Sequence, residues 1–292
     1  LEIRQIEYVV AVVDHGGFTR AAEALFVAQP SLSQGIRTLE RELGVELFRR
    51  VGRRALLTAA GEAFLGPARQ LLRDAAVIRA SAAAVAGVAA GHLDLVALPT
   101  LAAEPLARLI GAFRVAHPSV TVRVAEPEAA DEIVEMVRSG RCDLGLAELP
   151  VSGDDLESIP LLHQEIVAVC PPGTPLPRGG TLQVAKLGDM ALVTTPPGTS
   201  TRRLVQQALA SAHVEPVVAV ETGQREAILP LVLAGAGTTF LPEAPAREAA
   251  ARGAVVVRMS PPLRRTVGFV HRRGPISPAA RAFMEIAGER LA

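Results

Sequence analysis

The sequence predicts a two-part protein. A small, mainly helical N-terminal domain ends in a basic hairpin, and a long helix connects it to a larger α/β region. Three observations carry this. Gly16 to Gly44 reads as two amphipathic helices joined by a tight turn. From about Thr58 to Gly87 apolar residues recur at alternating spacings of three and four. From Leu93 onward short apolar strands alternate with helices.

At 292 residues the chain is long enough for two domains or three. Its 49% hydrophobic content excludes a disordered or fibrous chain. With 30 basic and 30 acidic residues the formal net charge is zero, so any nucleic-acid surface must be a local patch. Neither a signal peptide nor an apolar run of membrane-spanning length is found, which predicts a soluble cytoplasmic protein. Cys142 and Cys170 fall in expected strands and read as buried thiols; peroxide sensing is the alternative, with Arg141 beside Cys142 the one nearby basic residue. The six histidines are scattered without metal-ligand spacing, and no cofactor is expected. Gly235-x-Gly237 follows a helix and leads into a strand, the reverse of a dinucleotide fingerprint. No Walker A motif, nucleophile elbow or other catalytic constellation is present, so no enzyme is expected.

In the N-terminal domain, Ile3 to Asp14 reads as a first helix with Ile6, Val9, Val10 and Val13 as its apolar stripe, ended by His15-Gly16-Gly17. Phe18-Thr19 opens a second, short helix, with Thr19 as its expected N-cap and Ala22 and Leu25 on its buried side. The third helix places Leu32, Ile36, Leu39 and Leu43 on one stripe and Pro30, Ser33, Gln34, Arg37 and Arg41 on another face. That second face suits the DNA major groove: amides and hydroxyls reach base edges, and guanidinium groups reach phosphate or guanine. A solvated amphipathic hairpin is the alternative. Phe48 to Leu57 then reads as a hairpin tipped by Gly52 and crowded by Arg49, Arg50, Arg53 and Arg54. Four arginines at one tip are better explained by a wing gripping phosphate than by a bare solvated turn.

Residues 1–60 resemble the LysR-type transcriptional regulators. The resemblance is carried by Phe18-Thr19-Arg20-Ala21-Ala22-Glu23-Ala24-Leu25, by Gln29-Pro30-Ser31-Leu32-Ser33-Gln34-Gly35-Ile36, by Leu39-Glu40-x-Glu42-Leu43-Gly44-x-x-Leu47-Phe48, by Arg53-Arg54 and by Leu57-Thr58-x-x-Gly61. It implies a winged helix-turn-helix with the helix-turn-helix at 18–37, and DNA contacts from Thr19, Gln29, Pro30, Ser31, Ser33, Gln34, Arg37, Arg50, Arg53 and Arg54. The chain departs from the family pattern at Ala28, where a capping serine is usual, at Gln34, where arginine is frequent, and at the helix-weakening Gly35. These departures bear on which bases are read, not on the role.

Thr58 is the expected N-cap of the connecting helix. Ala68, Leu71, Ala75, Ile78, Ala82 and Val85 form a heptad seam, while Arg69, Arg73, Asp74 and Arg79 lie on the opposite face. A dimerisation helix accounts for both, and the family is similar in pairing two chains there. Pro67 is expected to bend the helix or to mark a boundary near Gly66, and Ala82 to Gly91 is the expected hinge.

In the α/β region strands are expected at 93–98, 120–125, 142–147, 165–170, 191–194, 217–220, 238–241 and 267–270. Helices are expected at 104–116, 131–139, 201–212, 225–234 and from Pro278. Ligands of such folds sit beyond the carboxyl ends of the strands. The candidate effector contacts there are Thr100, Leu101, Glu126, Thr195, Thr199, Ser200, Glu221 and Thr222. Thr100 and Thr199-Ser200 precede helix N-termini that would favour an anion, while Glu126 and Glu221 would favour an amine or hydroxyls. This region is similar to the family's effector-binding domain, itself like two-lobed periplasmic binding proteins, and Ala234 to Pro242 carries that likeness.

The full expectation is an N-terminal all-α winged helix-turn-helix domain (1–58), a linker and dimerisation helix with hinge (59–89), and a C-terminal α/β two-lobed, periplasmic-binding-protein-like effector domain. Lobe 1 takes 90–161 plus 266–292 and lobe 2 takes 162–265. The expected partners are double-stranded DNA, a small-molecule effector with an organic acid first, and further copies of the chain in a homodimer or homotetramer. The alternative is a cytoplasmic small-molecule-binding or enzymatic α/β protein with a helical N-terminal interaction module.

Overall fold

The computed structural model describes residues 1–51, 54–85, 91–127, 129–175 and 179–291. Its N-terminal domain is three helices and a hairpin. α1 (Ile3–Asp14) buries Ile6, Val9 and Val10, and α3 (Gln29–Leu43) buries Leu32, Ile36 and Leu39. Leu43 lies in the last turn before left-handed Gly44 and is exposed, so it does not extend the stripe. In α2 (Phe18–Ala24) Gly17 takes the cap position. Thr19 is therefore a helical residue and not the N-cap, because Phe18 is already helical and packs edge-on against Phe48 at 5.4 Å.

Glycine in a helix interior costs about 1 kcal/mol relative to alanine. At position 35 the tertiary contact decides otherwise. A Cβ there would lie 2.8 Å from the ring of Tyr8 on α1, so glycine lets the two helices close. Gly35→Ala should lower the domain's stability by about 1–3 kcal/mol, the range for overpacking. Tyr8 is the chain's single tyrosine and there is no tryptophan, so tyrosine fluorescence during urea unfolding reports this domain alone. A more stable variant by that signal would contradict the packing account.

The hairpin pairs β1 (Phe48–Val51) antiparallel to β2 (Arg54–Leu57). Gly52 and Arg53 lie outside the described residues, as do the side chains of Arg50 and Arg54 and residues 86–90 of the expected hinge. α4 (Ala59–Val85) starts as expected, with the Gly61 N–H donating to the Thr58 hydroxyl at 3.0 Å. The Thr58 hydroxyl itself donates to the Glu46 carbonyl. A Cβ at position 61 would stand 2.2 Å from the Leu47 carbonyl oxygen, which accounts for glycine there. Pro67 neither ends nor divides α4, because one missing N–H is tolerated when the turns on either side stay helical.

Two expected features of α4 change. Ala68 is buried against Ile6 and Val10 of its own domain, so the open part of the seam begins at Leu71; Ile78 is 70% exposed. The opposite face is not free: buried Arg69 pairs with Asp14 of α1, and Arg73 donates to the Gly140 carbonyl of the α/β region.

That region contains β3 (Gly91–Ala97), α5 (Pro99–Leu101), α6 (Ala107–Ala116), β4 (Val120–Ala125), α7 (Ala130–Arg138), β5 (Leu144–Leu149), β6 (Leu156–Cys170) and β7 (Thr181–Gln183). It continues with β8 (Ala191–Thr194), α8 (Ser200–Ser211), β9 (Val217–Glu221), α9 (Arg225–Leu233), β10 (Thr239–Pro242), α10 (Glu243–Ala251), β11 (Val255–Ser260), β12 (Leu263–Arg272) and α11 (Pro278–Leu291). The sheet runs β4-β3-β5-β12-β6-β11-β7, β10 adds to β6, and parallel β8-β9 joins through a Leu192–Thr238 bridge. β3, β4 and β5 are parallel, whereas β12 is antiparallel to both β5 and β6.

β6 and β12 pass through both halves. One core gathers Leu93, Leu98, Phe113, Phe269 and Phe283, and the other cores gather around Ile166, Val167, Leu192 and Val232. β7, α10 and β11 were not expected from the sequence. The strand expected at 165–170 is the end of the much longer β6, and the one expected at 267–270 lies inside β12.

Candidate DNA-reading face and effector cleft

Ala28 occupies the N-cap of α3 and supplies no capping side chain, so the first N–H groups of this helix are left for another acceptor. Around that end Thr19, Pro30, Ser31, Gln34 and Arg37 are exposed and Gln29 and Ser33 are half-buried. They lie away from the buried Leu32, Ile36 and Leu39. Arg41 does not extend the face. It folds back on its own helix, with Nε donating to the Arg37 carbonyl at 3.3 Å and Nη2 to the Thr38 hydroxyl at 3.0 Å.

In the α/β region the first expected site helix starts earlier than Glu104. Pro99 is helical, the chain kinks within Ala102–Leu106 where Glu104 is extended (φ −154°), and α6 follows. Thr100 therefore sits within the first turn, just beyond β3. Leu101 points into the core with no exposed surface, so it packs and does not face a ligand.

Thr100 and Ser200 converge on a residue that the sequence reading missed. Arg265, only 4% exposed, donates from Nη2 to the Thr100 hydroxyl at 3.2 Å and from Nη1 to the Ser200 hydroxyl at 3.0 Å. Its Nε donates to the Gln164 Oε1 at 2.7 Å. The Ser200 hydroxyl donates on to the Glu148 carboxylate at 2.6 Å. Burial is the main influence on Arg265 and pushes it down to about 10; Glu148 opposes this and Arg225 adds to it. Thr195 and Thr199 share a buried hydrogen bond beside this cluster.

Beyond Thr100 opens a cleft of about 510 Å³ that includes open solvent. Thr195, Thr201, Arg202 and Arg225 line it, together with apolar Leu192, Val205, Ile228 and Phe240. The Thr201 hydroxyl and the Arg202 Nε are buried there without a hydrogen-bond partner. Thr222 is tied to Thr194, which lines the cleft, by an N–H that donates to the Thr194 carbonyl at 3.0 Å. Glu126 and Glu221 are exposed at the ends of β4 and β9 and do not enter the hydrogen bonds around Arg265.

Arg265, Gln164 and Glu148 had one legible signal. Leu263, Arg265 and Val267 are all buried at alternate positions of β12, so a charge stood at an inward register position. The expected strands stopped one or two residues short of all three, because a polar residue was read as a strand end.

The thiols are core residues. Cys142 and Cys170 are buried in different cores. Burial, then Asp94 and Asp143, push Cys142 from 9.0 up to about 12, against a small opposing effect of Arg141. The folded chain therefore keeps this proton where the unfolded chain loses it above 9.0. The unfolded state then binds fewer protons, and stability falls as pH rises from about 9 to about 12. Relative to Cys142→Ala, the parent should lose up to about 1.4 kcal/mol per pH unit in that window. Parallel stability curves for the two proteins would contradict this.

An exposed recognition-helix end and, in the α/β region, a largely apolar cleft with a few polar groups beside the buried Arg265 cluster fit a DNA-binding regulator that responds to a small molecule. Comparison with known proteins supplies the particular family. Residues 3–62 match the bacterial regulatory helix-turn-helix protein model of the LysR family, and residues 86–292 match the LysR substrate binding domain. The chain belongs to the LysR family of transcriptional regulators. The Hca operon transcriptional activator HcaR of Escherichia coli K12 is 30% identical, over 100% of this chain and 99% of HcaR. A full-length OxyR variant from Pseudomonas aeruginosa superimposes with a TM-score of 0.78 at 25% identity, covering 99% of this chain and 94% of that one. Full-length CbnR in complex with its target DNA does so with a TM-score of 0.64 at 27% identity, covering 100% of both chains. No described helix is long and apolar enough to cross a membrane.

Proposed function

We propose that this regulator reads DNA with the exposed end of α3 and responds to an organic acid with an apolar body, held in the cleft beside Arg265. Gln29, Pro30, Ser33, Gln34 and Arg37 read bases, and Thr19 and Ser31 contact the backbone. Arg50, Arg53 and Arg54 of the hairpin grip phosphate. The division into lobes at 161/162 and 265/266, with the two chains of a dimer paired along α4, completes the reading.

The observation that carries the effector site is the convergence on Arg265. Thr100 comes from beyond β3, Gln164 from the long strand β6, and Ser200 from the start of α8. A ligand that bonds Thr100 or Ser200 changes what holds the two halves together. The unpartnered Thr201 hydroxyl and Arg202 Nε supply hydrogen bonds that a ligand would complete. Arg202 and Arg225 favour a carboxylate, and Leu192, Val205, Ile228 and Phe240 favour an apolar remainder. Buried thiols that keep their protons at neutral pH give no support to thiol-based sensing.

Two measurements test the reading. Thermal shift of the full chain with benzoate, phenylacetate and succinate should show stabilisation by an aromatic monocarboxylate that is lost in Thr100→Ala. Mobility shifts on DNA from upstream of its own gene should show about 10-fold weaker specific binding for Gln34→Ala and Arg37→Ala. Unchanged binding by both variants would remove α3 as the reading element.

A further inference from the structure

The turn between α2 and α3 carries an unrelieved cost. Its geometry is a Schellman motif: the Phe26 N–H donates to the Glu23 carbonyl at 3.1 Å and the Val27 N–H to the Ala22 carbonyl at 2.9 Å. The residue at the left-handed position of this motif is usually glycine or asparagine. Here it is Phe26, with φ 53°. Its Cβ makes that conformation unfavourable, and the hydrogen bonds of the turn would form as well without the ring. The ring gains nothing from the domain in exchange. Val27 and Leu25 pack against the N-terminal core, whereas Phe26 is 95% exposed, more than any other large apolar side chain among the described residues. Two unfavourable features thus coincide at a residue three positions before Gln29, within about 10 Å of chain from the recognition helix.

We propose that Phe26 is a DNA contact, its ring packing on deoxyribose at the rim of the groove that receives α3. Phe26 lies three to five residues before Gln29, Pro30 and Ser31, and like Pro30 and Ser31 it is exposed, so the partner proposed is the DNA that those residues are proposed to contact. The assignment rests on the reading of α3 as the DNA-reading helix. A ring on sugar buries apolar surface without displacing counterions, so it adds affinity to every sequence and leaves the salt dependence unchanged. A lost phosphate contact would reduce that dependence.

The test is equilibrium binding of the full chain to a duplex from upstream of its own gene and to a random duplex of equal length, across a salt series. Phe26→Asn keeps the left-handed turn and removes the ring. It should bind both duplexes about tenfold more weakly, with the slope of log affinity against log salt unchanged. Its unfolding by Tyr8 fluorescence should be at least as resistant as the parent's. Phe26→Leu keeps apolar contact and should stay within about threefold of the parent. Binding by Phe26→Asn equal to the parent's overturns the proposal. So does a loss that coincides with dissociation of the oligomer in sedimentation, which would place the ring against a second copy of the chain. Gln34→Ala, measured alongside, separates the two readings. A loss there with parent-like Phe26→Asn binding removes the ring contact alone, and parent-like binding by Gln34→Ala and Arg37→Ala removes the reading of α3.

Discussion

Arg265→Ala is expected to abolish the carboxylate-induced thermal shift and to destabilise the α/β region by about 3 kcal/mol, in the range for removing one partner of a buried charged cluster. Three hydrogen-bond acceptors converge on this guanidinium, and its removal leaves Glu148, beside Ser200, with the partly exposed Arg203 at 4.0 Å as its positive neighbour. Arg265→Lys restores charge but cannot reach Thr100, Gln164 and Ser200 at once, because an ammonium lacks the planar fork. It should recover part of the stability and little of the ligand response. Ser200→Ala removes one bond at each side of the hydroxyl and should cost about 1–3 kcal/mol. Chemical denaturation with and without benzoate measures both quantities. An Arg265→Ala protein with parental stability and an intact thermal shift would rule out this cluster as the link between the two halves.

The second large effect is expected at Ile78. It stands 70% exposed on α4, one heptad beyond Leu71, on a helix whose opposite face is tied to Asp14 by Arg69 and to Gly140 by Arg73. An apolar seam of this kind is stabilised by a partner helix. Ile78→Glu places a carboxylate in that seam and should convert the oligomer to monomers in sedimentation. Affinity for a DNA site with two half-sites should fall by about 100-fold or more, because the second contact is no longer intramolecular. Persistence of the oligomer would move the pairing surface elsewhere.

The helices of the N-terminal domain follow from local rules: a 3.6-residue apolar period, Gly44 at the end of α3, and Thr58 capping α4. Interactions a few residues apart set these features, so they are visible along the chain. The helix α4 was legible for the same reason, but the packing of Ala68 was not, because its contact with Ile6 and Val10 is made across some sixty residues of sequence. Thr100 and Ser200 were legible as hydroxyls beside helix N-termini. Leu101 was misplaced because burial of a single residue depends on what packs over it.

By itself the sequence determined the order of the domains, the reading helix, the hairpin and the alternation of strands and helices. All of these are encoded in short-range periodicity and turn chemistry. Only the tertiary structure decided that Gly35 accommodates Tyr8, that α4 runs through Pro67, and that β6 and β12 cross between two cores. It also decided that Arg265 gathers Thr100, Gln164 and Ser200. That guanidinium lies 65 residues from Ser200, 101 from Gln164 and 165 from Thr100. A buried charge is tolerated only where such distant partners satisfy it, and no local pattern in the chain specifies that meeting.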